Sequence, residues 1–351
     1  MVHVDEKTLE DGRIELLIEA EAEDVDRALE RGTVHFLEDM GIPVEDGADP
    51  VEFLKSIAGE NAAPMIKSAV MDYLVAFAIT ECGRMPVGAP DTFAIGAPVA
   101  GASFAFTASF FEKPEFELSS YDDVIVEING VHPVTDDEVE AQLLMLAKEF
   151  ATEEDDPATG GKRQVVPAIT DAWVKATFGQ QGISDVAALR EAMRAAGEQY
   201  QSDTFERNRQ TAVLSAFGER LVGEIPAPLV DRFSDEMTEL FHMQIEQQGI
   251  PFDVYLKQQG MTEEEFLADL REHAYQSMRD SFALDALFRH AGIELGEHEL
   301  YDAAATLQPG TDPDQTIAEL EEDGRLFMLR ENAERMLATQ WALDHAEVKV
   351  L

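Results

Sequence analysis

The chain of 351 residues carries 71 Asp and Glu against 26 Lys and Arg, a formal net charge of −45, and 45% of it is hydrophobic. That much apolar material builds real cores, which excludes wholesale disorder. The charge argues against DNA, RNA phosphate or an anionic membrane as a partner, because each needs clustered Lys and Arg.

The length allows two or three domains. The single cysteine, Cys82, can form no intramolecular disulfide and reads as a small buried residue in an apolar helix. The N-terminal run "MVHVDEKTLEDG" has no apolar signal core, and no stretch reads as long enough to span a membrane. The expectation is a soluble, cytoplasmic protein.

Residues 2–20 read as two strands around the turn "LEDG". "EDVDRALERGTVHFLEDM" has helical spacing through Val25, Leu29, Val34 and Leu37, and "GIPVEDGADP" breaks it. Pro50 suits the first turn of the short helix "PVEFLKSIAG". "MIKSAVMDYLVAFAITECG" is apolar on most faces and predicts a buried helix. "DTFAIG" and "ASFAFTASFFEKPEF" complete a β-β-α-α-α-β-β unit ending near Leu118. "YDDVIVEI" is strand-like. "VTDDEVEAQLLMLAKEF" predicts a helix opened by a Thr135–Glu138 capping box. The acidic stretch Glu149 to Val166 reads as a plain linker. Its "TGGK" is no phosphate-binding loop, since Asp156 and Arg163 stand where Gly and Ser/Thr are needed.

From Ile169 onward the pattern is helical. "ITDAWVKATFG" is short, residues 184–223 form a very long run, and "IPAPLVDRFSDEMTELFHMQIEQQG" stops at Gly249. "PFDVYLKQQG" precedes a long helix opened by a second capping box, Thr262–Glu265. Three further helices follow, with "EVKVL" as a short terminal strand. Such helices, joined by short loops, suit extended arms. The fold class is therefore α+β: an N-terminal β-β-α-α-α-β-β domain over 1–118, a linker helix and acidic linker over 119–166, and an all-α domain over 167–351.

No residue pattern carries catalysis. The eight histidines form no H-E-x-x-H and no paired Cys/His spacing, and no nucleophile elbow or dinucleotide loop is present. Acidic pairs are so common that none is informative. Met and aromatic residues do gather on the C-terminal helices. Met suits surfaces that accept many shapes. Met237, Phe241, Phe252, Tyr255, Met261 and Phe266, around the "GIPFDVYLKQQGM" connection, are the candidates for contact with apolar polypeptide. Trp173 and Trp341 read as structural.

The segments "PAITDAWVKATFG", "DVAALREAMR", "IPAPLVDRFSDEM" and "GIELGEHEL", with "PVGAP" and "FEKPEFEL" in the N-terminal part, resemble the trigger factor family of ribosome-associated bacterial chaperones. The resemblance covers roughly 1–150 and 165–351. It implies a chaperone for unfolded or nascent polypeptides, with no nucleotide, metal or other cofactor, ribosome contact, and a homodimer through the N-terminal domain. Two departures change that expectation. The family usually inserts an FKBP-like prolyl isomerase domain of about a hundred residues where only Glu149 to Val166 stands here. The resemblance then implies a non-enzymatic holdase. The family also docks on the ribosome through a G-F-R-x-G-K tip. The matching residues here are Gly41, Ile42, Pro43, Val44, Glu45, Asp46 and Gly47. Acids in place of cations remove attraction and add repulsion, on the order of a few kcal/mol over several contacts. Three alternatives stay open: a chaperone or adaptor dedicated to one partner, a surviving prolyl isomerase, and acidity selected by a salty cytoplasm.

Overall fold

Alternation in the first two strands dictates a sheet with one buried face. In the computed structural model, which describes residues 2–45, 47–155 and 162–351 (of Glu154 and Asp155 only the backbone), β1 (Val2–Thr8) and β2 (Ile14–Ala20) pair antiparallel. Gly12 closes the turn at φ 86°, a conformation that costs glycine little. β2 buries Ile14, Leu16, Ile18 and Ala20, and β4 (Phe104–Glu112) buries Phe104, Phe106, Ala108 and Phe110 beside them. β3 (Pro86–Phe93) forms the far edge, giving the order β1-β2-β4-β3. It begins at Pro86 rather than near Asp91. An edge strand tolerates proline, because one side of its backbone needs no ladder partner.

Between β2 and β3 come α1 (Ala22–Arg27), a π-turn over Ala28–Gly32, α2 (Thr33–Asp39), α3 (Pro50–Ala58) and α4 (Ala62–Cys82). Asp49 caps α3 by accepting from the Val51 and Glu52 backbone N–H groups. α4 covers the sheet with Ile66, Val70, Leu74 and Ile79. Gly32 is required where the π-turn meets α4: a Cβ there would lie 2.8 Å from the Ala69 carbonyl oxygen and 2.9 Å from Tyr73 Cβ. One expectation needs correction. The helical run Pro50–Cys82 is long and apolar enough, by length and composition, to cross a membrane. Its most apolar window is 61% buried against this protein's own sheet and helices, as for a core helix. Cys82, at its end, is half-buried, and burial pushes its thiol pKa up.

The chain divides into two units, Met1–Asp122 with Phe217–Asp344, and Asp123–Ala216 with His345–Leu351. In the first, β5 (Glu117–Leu118) pairs with β9 (Leu221–Val222). α8 (Ala227–Gln247), α9 (Phe252–Gln259), α10 (Glu263–Ala291), α11 (Glu297–Leu307), α12 (Pro313–Glu322) and α13 (Leu326–Asp344) follow. Leu229, Val230, Met278 and Phe282 from α8 and α10 pack with Val87, Phe111 and Phe116. Beside that cluster lies an ion network. Lys113 Nζ reaches Asp285 at 2.8 Å and Glu331 at 2.9 Å, and Arg335 reaches the same two carboxylates at 3.2 and 2.9 Å. Burial opposes the charge on Arg335, but Asp285 and Glu331 outweigh it and raise its pKa. A second joint centres on Asp323, 1% exposed, which takes Arg31 Nε and His35 Nε2 at 2.8 Å each.

In the second unit, β6 (Val124–Ile128) pairs in parallel with β10 (Ala346–Val350), so the terminal strand forms as expected. α5 (Asp136–Glu149) opens on the Thr135–Glu138 capping box and buries Val139, Leu143 and Ala147. α6 (Asp171–Phe178) buries Val174, and α7 (Val186–Gly218) follows as a single long helix. Phe150, Trp173 and Phe178 meet edge to face, with centroids 5.7–5.9 Å apart, which makes Trp173 a packing residue. The acidic stretch is more ordered than a plain linker. β7 (Thr152–Asp155) and β8 (Lys162–Val165) pair antiparallel, and Lys162 meets Glu153 at 3.0 Å. Residues 156–161, with Asp156 and most of "TGGK", lie outside the described residues.

Lys113→Ala leaves two poorly exposed carboxylates sharing one guanidinium. Removing one partner of a buried pair costs about 3 kcal/mol or more. Urea unfolding is expected to show a loss of about that size. A loss under about 1 kcal/mol would mean that the network is solvated and contributes little.

Candidate functional site

Two sites were expected: the far end of the α8–α10 pair and the loop between α2 and α3. On α8 the residues Met237, Phe241 and Ile245 recur every four positions, so one stripe faces α9 and α10. α8 stops at Gly249 (φ 69°), α9 stops at Gly260 (φ 70°), and the two turns fold the short helix back over the stripe. Four rings meet there. Phe241 lies 4.8 Å from Phe266, 5.0 Å from Tyr255 and 6.4 Å from Phe252, and Phe252 lies 5.3 Å from Phe266. These are tilted and edge-to-face separations at which aromatic pairs attract. Phe266 is buried, while Met237, Phe241, Phe252, Tyr255 and Met261 are half-buried.

The six residues thus form a small aromatic core more than an open surface. The apolar side chains that water reaches are their neighbours: Leu240 at 62% exposure, Met243 at 52%, Leu267 at 39% and Val254 at 37%. Leu240, Val254 and Leu267 were missed because attention to Met and aromatic residues passes over aliphatic ones. Helical phase could have found Leu240, which, like Met243, falls off the 237–241–245 stripe. A shallow hollow of about 370 Å³ opens beside them, lined by His242, Ile245, Ile250 and Phe252. The end has packed rings underneath and leaves Leu240, Met243, Val254 and Leu267 exposed on the outside.

Its base depends on the Thr262 cap. The Thr262 backbone N–H and hydroxyl both donate to Glu265, at 2.8 and 2.9 Å, and hold its carboxyl below the usual range. The next residue is Phe266.

The α2–α3 loop is pinned by its backbone. Gly41 N–H donates to Glu38 O at 2.8 Å and Ile42 N–H to Leu37 O at 2.9 Å, with Gly41 at φ 73°. This is a Schellman termination with its hydrophobic contact, since Leu37 and Ile42 join the same core. Val44 also packs inward, and Gly47 takes φ 79°. Gly41, Pro43, Glu45 and Gly47 are exposed, as are the flanking Glu38, Asp39, Asp49 and Glu52. Asp46 lies outside the described residues. The nearest lysine in sequence, Lys55, is held by Glu52 at 2.7 Å. Among the described residues the tip therefore presents carboxylates and no cation. Of the eight histidines, His290 stacks on Tyr121 at 3.8 Å and His298 faces Asp302 at 3.7 Å.

The family model for the N-terminal part of bacterial trigger factor matches residues 2–146, and that for its C-terminus matches residues 185–344. The chain belongs to the trigger factor family and is a chaperone of that family. It is 24% identical to the trigger factor of Streptomyces coelicolor, covering 98% of this chain and 90% of that protein. It is 24% identical to that of Streptomyces avermitilis, over 98% and 91%, and 21% identical to that of Thermobifida fusca, over 96% and 89%. The first alignment runs over 429 positions although this chain has 351 residues, so the relative has residues without a counterpart here. A solved trigger factor chaperone structure covers 97% of this chain at 15% identity with a TM-score of 0.35.

Glu265→Gln tests the cap. Because the folded-state pKa is depressed, the carboxylate stabilises the fold above its unfolded value of about 4.3. That contribution disappears as the pH falls through the lower folded value. The stability gap between the natural chain and Glu265→Gln is expected to be full at pH 7 and to close below about pH 4. A gap independent of pH, read by denaturant unfolding, would rule out the carboxylate as its cause.

Proposed function

We propose that this protein is an ATP-independent holdase that binds unfolded or nascent polypeptides through the apolar end of α8–α10. The observation that carries the reading is the exposure of Leu240, Met243, Val254 and Leu267 over an aromatic base, in a chain of net charge −45. Exposed apolar surface normally invites aggregation. An excess of like charge keeps such a surface soluble. Rigid support lets it meet many shapes at low ordering cost, and Met243 adds adaptability.

Residues 119–166 serve in this reading as a linker where the family's isomerase domain usually stands. Support comes from the gap between the two matched segments, 147–184, whose described residues form a two-stranded hairpin and a short helix. A pocketed isomerase domain needs about a hundred residues. The protein works in the cytoplasm without an isomerase step. Leu240→Ser with Met243→Ser should reduce suppression of aggregation of a chemically denatured, unrelated protein several-fold while leaving thermal stability within a few degrees. The natural chain should leave the rate of a proline-limited refolding reaction unchanged. Suppression indifferent to the two substitutions would refute the arm-end site. Protection of one partner only would favour the dedicated-adaptor reading.

The carboxylates around the α2–α3 loop support weak or lost docking on ribosomal RNA phosphate. Co-sedimentation with ribosomes is expected to be poor for the natural chain and to rise at least several-fold for Glu45→Arg with Asp46→Lys. Strong pelleting of the natural chain would show that the acidic tip is no obstacle. A homodimer through the N-terminal part is supported by the uncharged run Thr92–Phe111, which leaves Phe93, Ile95 and Val99 exposed. The same sedimentation run without ribosomes reads it: Ile95→Glu should yield monomer, and a natural chain that is already monomeric removes that part.

A further inference from the structure

We propose that the turn between α12 and α13 is a strap that closes over an apolar face of α2 and α4, and that this face binds polypeptide only when the strap lifts. The inference rests on the holdase reading and adds to it a second surface that the chain itself covers. Phe36 of α2 and Val75, Phe77 and Ile79 of α4 belong to the N-terminal core cluster. Phe327, in the first turn of α13, packs against the same cluster. Among the described residues it is that cluster's one member from beyond Phe110. A hollow of about 480 Å³ remains beside it, bordered by Phe36, Ala76, Ile79 and Pro90 and by Phe327 and Met328. The face therefore has room for more apolar material than α13 supplies, and Phe327 stands on it as an intrachain occupant.

What holds the strap down is polar. Arg31, in the π-turn, and His35, on α2, are four residues apart and share a helix face. Each meets Asp323 at 2.8 Å, and Arg31 also reaches Glu322 at 3.2 Å. Gly324 follows at φ 68°, and a Cβ there would lie 2.9 Å from the Phe77 ring, so glycine lets the turn come this close. The Thr80 hydroxyl lies 2.9 Å from the Gly324 carbonyl oxygen and 3.0 Å from that of Ala76. Three features make the contact reversible. The helices behind the turn have a core of their own, in which Ala303, Ala304, Leu329 and Ala333 pack with Ile317 and Leu320. Arg335 ties α13 to Asp285 of α10 at 3.2 Å and supplies the pivot. A buried ion pair adds little net stability, because desolvation offsets its attraction. Arg31, His35 and Asp323 regain water when they part, while Phe36, Phe77 and Phe327 lose their cover. The closed state thus hides apolar surface behind a joint that water can replace.

The test uses the full chain and Asp323→Ala, which leaves Arg31 and His35 nothing to hold. Hydrogen exchange read by mass spectrometry is expected to be at least about tenfold faster in Asp323→Ala over residues 31–39 and 322–328, and unchanged over 104–110 of β4. The neutral dye Nile red should brighten, and suppression of aggregation of an unrelated denatured protein should improve about threefold. Thr80→Val, which removes one hydroxyl at an exposed position, should move all three readouts the same way by less, and it carries the test if Asp323→Ala does not fold. Unchanged exchange and dye binding in the variants would mean a static joint and overturn the strap. Opening without improved suppression would overturn the polypeptide-binding face. Asp323→Ala added to the Leu240→Ser, Met243→Ser chain should restore part of its lost suppression, which places the gain outside the end of α8–α10; no restoration would overturn it. If no chain suppresses aggregation, the holdase reading falls, while faster exchange and brighter dye in Asp323→Ala keep the strap as a cover over an apolar surface.

Discussion

Scarcity of cations governs this structure. With 26 Lys and Arg among 71 Asp and Glu, most carboxylates can have no partner and must face water. Two that do not face water, Asp285 and Asp323, sit where the N-terminal sheet and helices meet the C-terminal helices within the first unit. Asp323 and Asp285 are nearly buried, and each is served by two cationic or hydrogen-bonding groups drawn from distant parts of the sequence. An isolated buried carboxylate would cost several kcal/mol or stay protonated. Lys113, Arg335, Arg31 and His35 therefore specify how the sheet layer and the helices come together, in a way apolar contacts alone would not.

The elements were legible because local rules agreed with one another. Thr135–Glu138 and Thr262–Glu265 mark helix starts whose capping boxes form in full. Alternating Phe in "FAFTASFF" fixes the buried face of β4. Legibility failed where tertiary context overrides composition. "PVGAP" has the residues of a turn, yet its place at a sheet edge lets it run as a bulged strand. Charged "TEED" and "KRQV" look like solvated linker until pairing brings Glu153 and Lys162 together. The run Pro50–Cys82 carries a membrane-like signal because a mostly buried core helix obeys the same composition rule.

The candidate site was legible in location and less so in detail. Periodicity places Met237, Phe241 and Ile245 on one face. It does not say that three loop-separated aromatic residues will close over that face and turn it into a core. Only after Phe252, Tyr255 and Phe266 are seen around Phe241 does the outward role of Leu240 and Met243 follow. At the α2–α3 loop the reverse holds. Gly41 and Gly47 could be read as turn residues, and the acidity was plain from the letters alone. The inward packing of the half-buried Ile42 and Val44 required the fold.

Acidity and apolar binding act over different distances, which lets one surface serve both. The repulsion that keeps copies apart extends about a Debye length, roughly 10 Å at 0.1 M salt and 3 Å at 1 M. Apolar contact acts only where water is expelled and is nearly indifferent to that screening. Raising salt therefore weakens the self-repulsion and the long-range field of the carboxylates at the acidic loop. It leaves the apolar end of α8–α10 intact and barely touches the buried joints at Asp285 and Asp323. A chain with this charge gains stability as its medium becomes saltier, until loss of repulsion between molecules exposes the apolar end to other copies. The acidic surface and the apolar end are thus complementary requirements of a protein that must stay dispersed while leaving part of its interior chemistry on the outside.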